Sequence, residues 1–274
     1  MQIAESFVIL EAEVIGMSRK TMIGMCSSDP NEVRILKKYG YDFYEGDFAT
    51  ITAMPQEEYE GLLEATRETG LRSLGMNCFA YPPHMLLEMS LEALDEYLES
   101  RLPRALELGL QYLVIGSGGA RRRPDWMSHE QATEKFVAML KRYAAIADRY
   151  DIEIIIEPLY RTACNFVNTY EEGLAICRTV DHPRVGILMD FFHSYHENEP
   201  YSVLKKAGPY LKHIHLAAED DKHIPVRGEE EITARFVRLL KEIGYSGRIV
   251  LEGEARPDFE TGMKQFSEQF SLFD

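Results

Sequence analysis

The strongest constraint on this chain is an alternation that runs its whole length. Eight short apolar runs of strand type lie at 22–26, 41–45, 71–78, 112–116, 152–157, 185–190, 211–216 and 248–252. Between them lie amphipathic stretches at 31–38, 56–69, 91–108, 129–149, 170–180, 201–207, 232–243 and 259–270. Strands that alternate with helices pair in parallel, because each connection must cross back over the sheet. The runs read as continuous apolar segments, such as Ile154-Ile155-Ile156, which suits strands covered on both faces. Eight βα units at about 33 residues each match a closed (β/α)8 TIM barrel in count and length. An open doubly wound sheet also alternates, but its first strand normally feeds a glycine-rich phosphate turn. No G-x-G-x-x-G opens a helix here.

Local signals agree with this punctuation. Phe136, Met139, Leu140, Tyr143, Ala144 and Ala147 form one apolar stripe at helical spacing. Ser128 with Gln131, and Thr169 with Glu172, have the spacing of capping boxes. Gly40, Gly70, Gly109 and Gly244 stand where helices should stop, since glycine supplies the left-handed conformation that ends them. With no linker and no low-complexity segment, residues 21–274 read as one barrel domain and residues 1–20 as an N-terminal extension. Met17, just before Ser18-Arg19-Lys20, is an alternative start.

Composition narrows the function. Lys plus Arg less Asp plus Glu is 30 − 45 = −15, which argues against nucleic acid or an anionic membrane as partner. The four cysteines, Cys26, Cys78, Cys164 and Cys177, are dispersed with no C-x-x-C pair, so they suggest free thiols in a reducing compartment. No apolar run reaches the roughly 18 residues a membrane span requires. Glu5, Glu11 and Glu13, with no basic n-region, make the first residues a poor signal peptide. The expectation is a cytoplasmic protein.

In a barrel of this kind the chemistry sits at the C-terminal ends of the strands. The last four runs end in Glu157-Pro158, Asp190-Phe191, His213-Ile214-His215 and Glu252-Gly253-Glu254. One such residue alone is more often a helix cap or a surface group; four on adjacent strands point to a shared site. His213 and His215 share a face by the period of two, as do Glu252 and Glu254, so either member of each pair can be the ligand. Glu252, which directly ends Ile249-Val250-Leu251, is preferred. Three carboxylates and one imidazole are mostly hard donors. They suit one divalent ion, manganese first, with magnesium, cobalt or zinc as alternatives. Two open coordination positions would let adjacent oxygens of a hydroxy-carbonyl compound chelate, so that proton loss next to the carbonyl gives a metal-stabilised enediolate.

The motifs Glu157-Pro158-Leu159-Tyr160-Arg161, Asp190-Phe191-Phe192-His193, His213-Ile214-His215 and Leu251-Glu252 resemble those of the xylose isomerase-like TIM barrels. Within them the chain is similar to sugar phosphate isomerases and epimerases of the D-tagatose 3-epimerase type. The resemblance implies metal ligands at Glu157, Asp190, His215 and Glu252, and catalytic proton exchange between Glu157 and Glu252. It implies substrate contact at His193, and Gly116-Ser117-Gly118 with Arg121 and Arg122 also looks familial. Three positions depart from the epimerase branch. Ala163 stands at the place of a substrate-binding glutamate. Glu219-Asp220-Asp221-Lys222 replaces a segment carrying an arginine, and Val226 interrupts a P-G-R-G turn. Arg227, in that turn, is expected to supply the missing cation to the substrate.

The implied activity is a metal-dependent sugar isomerase or epimerase with a small carbohydrate as its partner; a homo-oligomer is left open. A lyase or dehydratase acting through the same enolate is the near alternative. An abasic-site endonuclease shares the fold but needs three zinc ions and further histidines on the early strands, whose ends read Glu45, Asn77 and Gly116. A non-catalytic sugar-binding barrel is the third reading.

Overall fold

The structure is a computed structural model that describes residues 21–274; the expected extension at 1–20 lies outside the described residues. Eight parallel strands pair in chain order and the eighth returns to the first, closing a barrel. They are β1 (Met22–Cys26), β2 (Phe43–Asp47), β3 (Ser73–Asn77), β4 (Tyr112–Ile115), β5 (Glu153–Ile156), β6 (Val185–Asp190), β7 (Leu211–Leu216) and β8 (Arg248–Leu251). Closure is made by Gly24 opposite Val250 and its neighbours in register.

The helices are α1 (Pro30–Lys38), α2 (Phe48–Ala53), α3 (Gln56–Thr69), α4 (Leu91–Leu108), α5 (His129–Tyr150), α6 (Tyr170–Val180), α7 (Phe191–His196), α8 (Glu230–Glu242) and α9 (Phe259–Ser267). Both capping boxes form, Ser128 with Gln131 and Thr169 with Glu172. Gly70 and Gly109 cap α3 and α4 in the left-handed conformation, and Gly40 and Gly244 adopt positive φ just past α1 and α8. No helix among the described residues is long and apolar enough to cross a membrane.

Three features differ from the sequence expectation. The stretch 201–207 is a 3₁₀ turn, Tyr201–Lys206, rather than an α-helix. It is hemmed between Pro200 and Gly208-Pro209 and buries only Val203 and Leu204, too little apolar surface to hold a full helix. Two short helices, α2 and α7, start directly from strand ends, where Asp47 and Asp190 act as N-caps and accept from the backbone N–H of Thr50 and His193. Strand β2 also begins and ends two residues later than its apolar run suggested, so Glu45 lies inside the strand instead of at its end.

The pleat sorts the side chains into two sets. Alternate strand residues such as Leu113, Ile154, Ile156, Ile187, Met189, Ile249 and Leu251 pack outward against the helices. The others, Phe43, Leu74, Tyr112, Val114, Ile155, Leu188 and Val250, fill the barrel interior. The same period carries the inner face upward from Ile155 to Glu157, from Leu188 to Asp190, from His213 to His215 and from Val250 to Glu252.

Candidate metal centre

Those four inner positions converge. Glu157, Asp190, His215 and Glu252 each offer a ligand atom, and the four atoms lie within 4.8 Å of one another. The backbone holds them firmly. Glu157 N–H donates to the Ile115 carbonyl at 3.3 Å and Glu252 N–H to the Leu216 carbonyl at 3.2 Å, so each glutamate is tied to the preceding strand. Asp190 divides its carboxylate between two tasks. Its Oδ1 accepts the His193 N–H at 2.9 Å and starts α7. Its Oδ2 is buried, has no hydrogen-bond partner, and faces the group.

His215 presents Nδ1 to Glu157 Oε1 at 3.1 Å and to Glu252 Oε2 at 3.3 Å. Burial alone would strip the ring of its second proton, but the carboxylates of Glu45 and Glu252 outweigh it and raise its pKa well above the usual value. Glu252 is driven the other way. Burial opposes its ionisation, yet Lys222 and His215 hold it well below the ordinary carboxylate range. Asp190 is raised, because burial and the nearby Glu252 outweigh Lys222. Three carboxylates this close, one with an unpartnered oxygen, form a negative concavity that costs several kcal/mol unless cations compensate it. The oxygen-rich donor set with one imidazole fits a single divalent ion of the manganese, magnesium, cobalt or zinc kind.

One fixed cation already belongs to the group. Lys222 Nζ donates to Glu252 Oε2 at 2.6 Å and lies 3.4 Å from Asp190 Oδ2. It also sits over the Phe192 ring at 5.5 Å. Burial works against its charge, but Asp190, Glu252 and Glu157 raise its pKa well above that of a free lysine. Sequence reasoning missed it, since it closes the acidic run 219–222 that reads as a solvated loop. Two backbone features bring it inward. Lys222 adopts φ 58°, the left-handed region, and a Cβ at Gly253 would overlap the Lys222 carbonyl, so only glycine lets the loop pass there. His223, held between Asp221 and Glu229, anchors the next residue.

His193 is brought to the same rim. Its ring stacks on Tyr160 with centroids 5.2 Å apart, and its Nε2 lies 3.8 Å from Asp190 Oδ2. Burial, with Lys222 adding to it, lowers its pKa to about 4, so the ring is neutral at pH 7. Its buried Nδ1 has no partner.

Arg227 stands apart from this group. It lies on the surface, 66% exposed, and pairs with Glu268 at 2.7 Å. The structure does not bring it to the other five residues; the cation at the rim is Lys222. Arg121 is also unlike a solvated loop residue. It is fully buried, donates from Nη1 to the Ile115 carbonyl at 2.7 Å, and lies 5.9 Å from the Phe136 ring centroid. Arg122 is exposed.

The first half of the barrel contributes residues of another kind. Asn77 Nδ2 donates to Glu252 Oε1 at 3.3 Å and approaches Cys26 Sγ at 3.3 Å. A Cβ at Gly116 would overlap Glu157 Oε2, so glycine makes room for that carboxylate. Glu45 lies one layer deeper, beneath His215. Among the described residues, the ends of β1 to β4 bring no histidine to the group.

Comparison with known proteins bears on the family and the fold. Residues 33–270 match the family model described as xylose isomerase-like TIM barrel. A D-psicose 3-epimerase of Ruminiclostridium cellulolyticum is 29% identical over 132 residues, a match that covers 48% of this chain and 42% of that one. The chain thus aligns with less than half the length of that relative. Among solved structures, a D-allulose 3-epimerase from Methylomonas sp. in complex with D-allulose superimposes with a TM-score of 0.76 at 19% identity, covering 94% of this chain and 98% of its own. The IOLI protein with a bound zinc atom superimposes at 0.71 and 19% identity, covering 92% and 99%.

Proposed function

This chain belongs to the xylose isomerase-like TIM-barrel family, and on that footing we propose that it is a divalent-metal-dependent sugar isomerase or epimerase. The observation that carries the reading is the placement of Glu157, Asp190, His215 and Glu252 with ligand atoms inside 4.8 Å. The names of the similar proteins, an epimerase of D-psicose and one bound to D-allulose, support a ketose as the substrate class. Manganese is the first choice of ion; the zinc in one structural neighbour keeps zinc in view.

A divalent ion bound here supplies Lewis-acid polarisation of a substrate carbonyl and neutralises the charge left by proton loss. The remaining work falls to the side chains. Glu157 and Glu252 are the acid/base pair: one removes the proton from the carbon next to the carbonyl, and the other returns a proton to the product. Lys222 holds Glu252 ionised, as a proton acceptor must be. His193, neutral and fixed against Tyr160, offers a ring nitrogen to a substrate oxygen. Lys222 takes over the cationic role expected of Arg227. Ala163, at the place of an acidic clamp, leaves the far end of the substrate less constrained, so several ketoses should compete for one site. The four cysteines are unpaired, which suits a reducing compartment such as the cytoplasm.

The test is solvent exchange. Manganese-loaded protein is incubated with a panel of ketoses in D₂O, and products are read by NMR. Deuterium at the carbon next to the carbonyl is expected. A dehydrated product in its place marks elimination from the same enolate, and no exchange across the panel with the ion bound overturns the reading.

A further inference from the structure

Directly beneath His215 lies a buried polar layer. Glu45 of β2 is 0% exposed, deep inside the barrel. An ionised carboxylate survives there only if its oxygens are fully engaged. Three donors converge on it. His215 Nε2 lies 2.9 Å from Oε1, His213 Nε2 lies 3.1 Å from Oε2, and the Tyr112 hydroxyl donates to Oε2 at 2.8 Å. These are ordinary N–H···O and O–H···O lengths, so the three groups form a hydrogen-bonded set around one anion.

The barrel bends its own regularity to make this set. Two strand pairs shift register, and both shifts fall next to it. Between β2 and β3, Tyr44 faces Ser73 but Glu45 faces Gly75. Between β6 and β7, Ile187 faces Leu211 but Leu188 faces His213. Such bulges re-aim the side chain that follows. Gly75 adds a third accommodation, because a Cβ there would overlap the Tyr112 phenol on its way to Glu45.

We propose that Glu45 is a positioning residue of the metal centre: it accepts the Nε2 proton of His215, fixes the ring's tautomer and rotation, and thereby turns Nδ1 toward Glu157, Asp190 and Glu252 as the ligand atom. Tyr112 and His213 hold Glu45 in its turn. The argument is one of directions. An imidazole has one ligand nitrogen to give, and a carboxylate on the other nitrogen decides which. The proton is assigned to Nε2 from this network. Glu45, His213 and His215 are also close enough together to hold an ion of their own. The Tyr112 hydroxyl and the two imidazole protons already fill the Glu45 oxygens, so the layer orients rather than ligates.

The inference rests on the metal reading above, and two measurements test it. In zinc-loaded wild-type protein with ¹⁵N-labelled histidine, long-range proton–nitrogen correlation should show His215 protonated at Nε2 and ligated through Nδ1. The reverse assignment overturns the role of Glu45. In titration calorimetry with Mn²⁺, Glu45→Gln should weaken binding by about 10–100-fold while the metal-free protein keeps its far-UV spectrum. Tyr112→Phe leaves the His215 bond intact and should weaken binding less than Glu45→Gln does. A folded Glu45→Gln protein with wild-type affinity, even with a lowered melting temperature, shows a merely structural role and overturns the proposal. Should that variant not fold, the nitrogen assignment on the wild type decides. Wild-type protein that binds none of Mn²⁺, Mg²⁺, Co²⁺ or Zn²⁺ defeats the metal reading itself and this role with it, an outcome distinct from an ion held through the wrong nitrogen.

Discussion

The two halves of the barrel are built for different work. Strands β5 to β8 each deliver one ionisable side chain to the rim: Glu157, Asp190, His215 and Glu252. Strands β1 to β4 deliver none to that group. They supply a thiol at Cys26, an amide at Asn77, empty space at Gly116 and Gly75, and the submerged pair Glu45 and Tyr112. One half states the chemistry and the other sets its tolerances. A closed barrel makes this division possible, because interior side chains from opposite walls meet across the lumen, and a residue on β2 can steer one on β7.

This contrast can be broken or sharpened experimentally. The largest effects should come from the second half. Glu157→Gln and Glu252→Gln should each lower deuterium exchange by about 10²–10⁴-fold, the usual worth of a general acid or base. Retained exchange in either variant removes that residue from proton transfer. Next comes the tolerance set by the first half. Gly116→Ala pushes a methyl against the Glu157 carboxylate. The displaced atoms are the end of a flexible side chain, so kcat/KM should fall about 10²-fold while the melting temperature moves little. An unchanged rate would mean that Glu157 has freedom the packing does not suggest.

The wall of the barrel predicts a smaller effect that the rim does not govern. Tyr44, on the outer face of β2, is buried with its hydroxyl 2.8 Å from Thr66 Oγ1, and burial pushes its pKa from 10 up to about 12. The folded state therefore keeps this phenol neutral where the unfolded chain ionises it. Its contribution is fully present below pH 10 and is lost as pH rises from 10 to 12, at most about 3 kcal/mol. Melting curves between pH 9 and 12 should show this alkaline limb, flattened in Tyr44→Phe. Smallest of all is Arg227→Ala. An exposed, solvent-screened pair with Glu268 contributes little, so stability, metal affinity and exchange should stay near wild type. A large loss of exchange would return Arg227 to the substrate.

The same contrast explains what could be read from the chain alone. The second half was legible because each of its runs is apolar and then ends in a residue that an apolar strand would not normally tolerate, as at Ile156-Glu157 and Leu251-Glu252. Glu45 looked similar, the last residue of its run, yet β2 continues to Asp47 and a register shift beside β3 sinks it one layer lower. Shifts of that kind arise from pairing between strands and leave no periodic trace within one of them. Lys222 was hidden for another reason. Its neighbours Asp220 and Asp221 advertise a solvated loop, while its inward aim depends on a left-handed backbone and on Gly253, thirty-one positions later in the chain. Arg227 shows the opposite case: a basic residue in a familiar-looking turn, whose side chain pairs with a carboxylate just beyond α9.

Asp190 carries a consequence for how such barrels diverge. One of its oxygens begins a helix and the other looks into the reaction chamber. Selection for nothing more than a soundly folded molecule would preserve it, so finding an aspartate at this position in a descendant says little about whether that descendant still turns over substrate. Glu157 has no capping duty, and it is the residue whose disappearance would mark an abandoned trade.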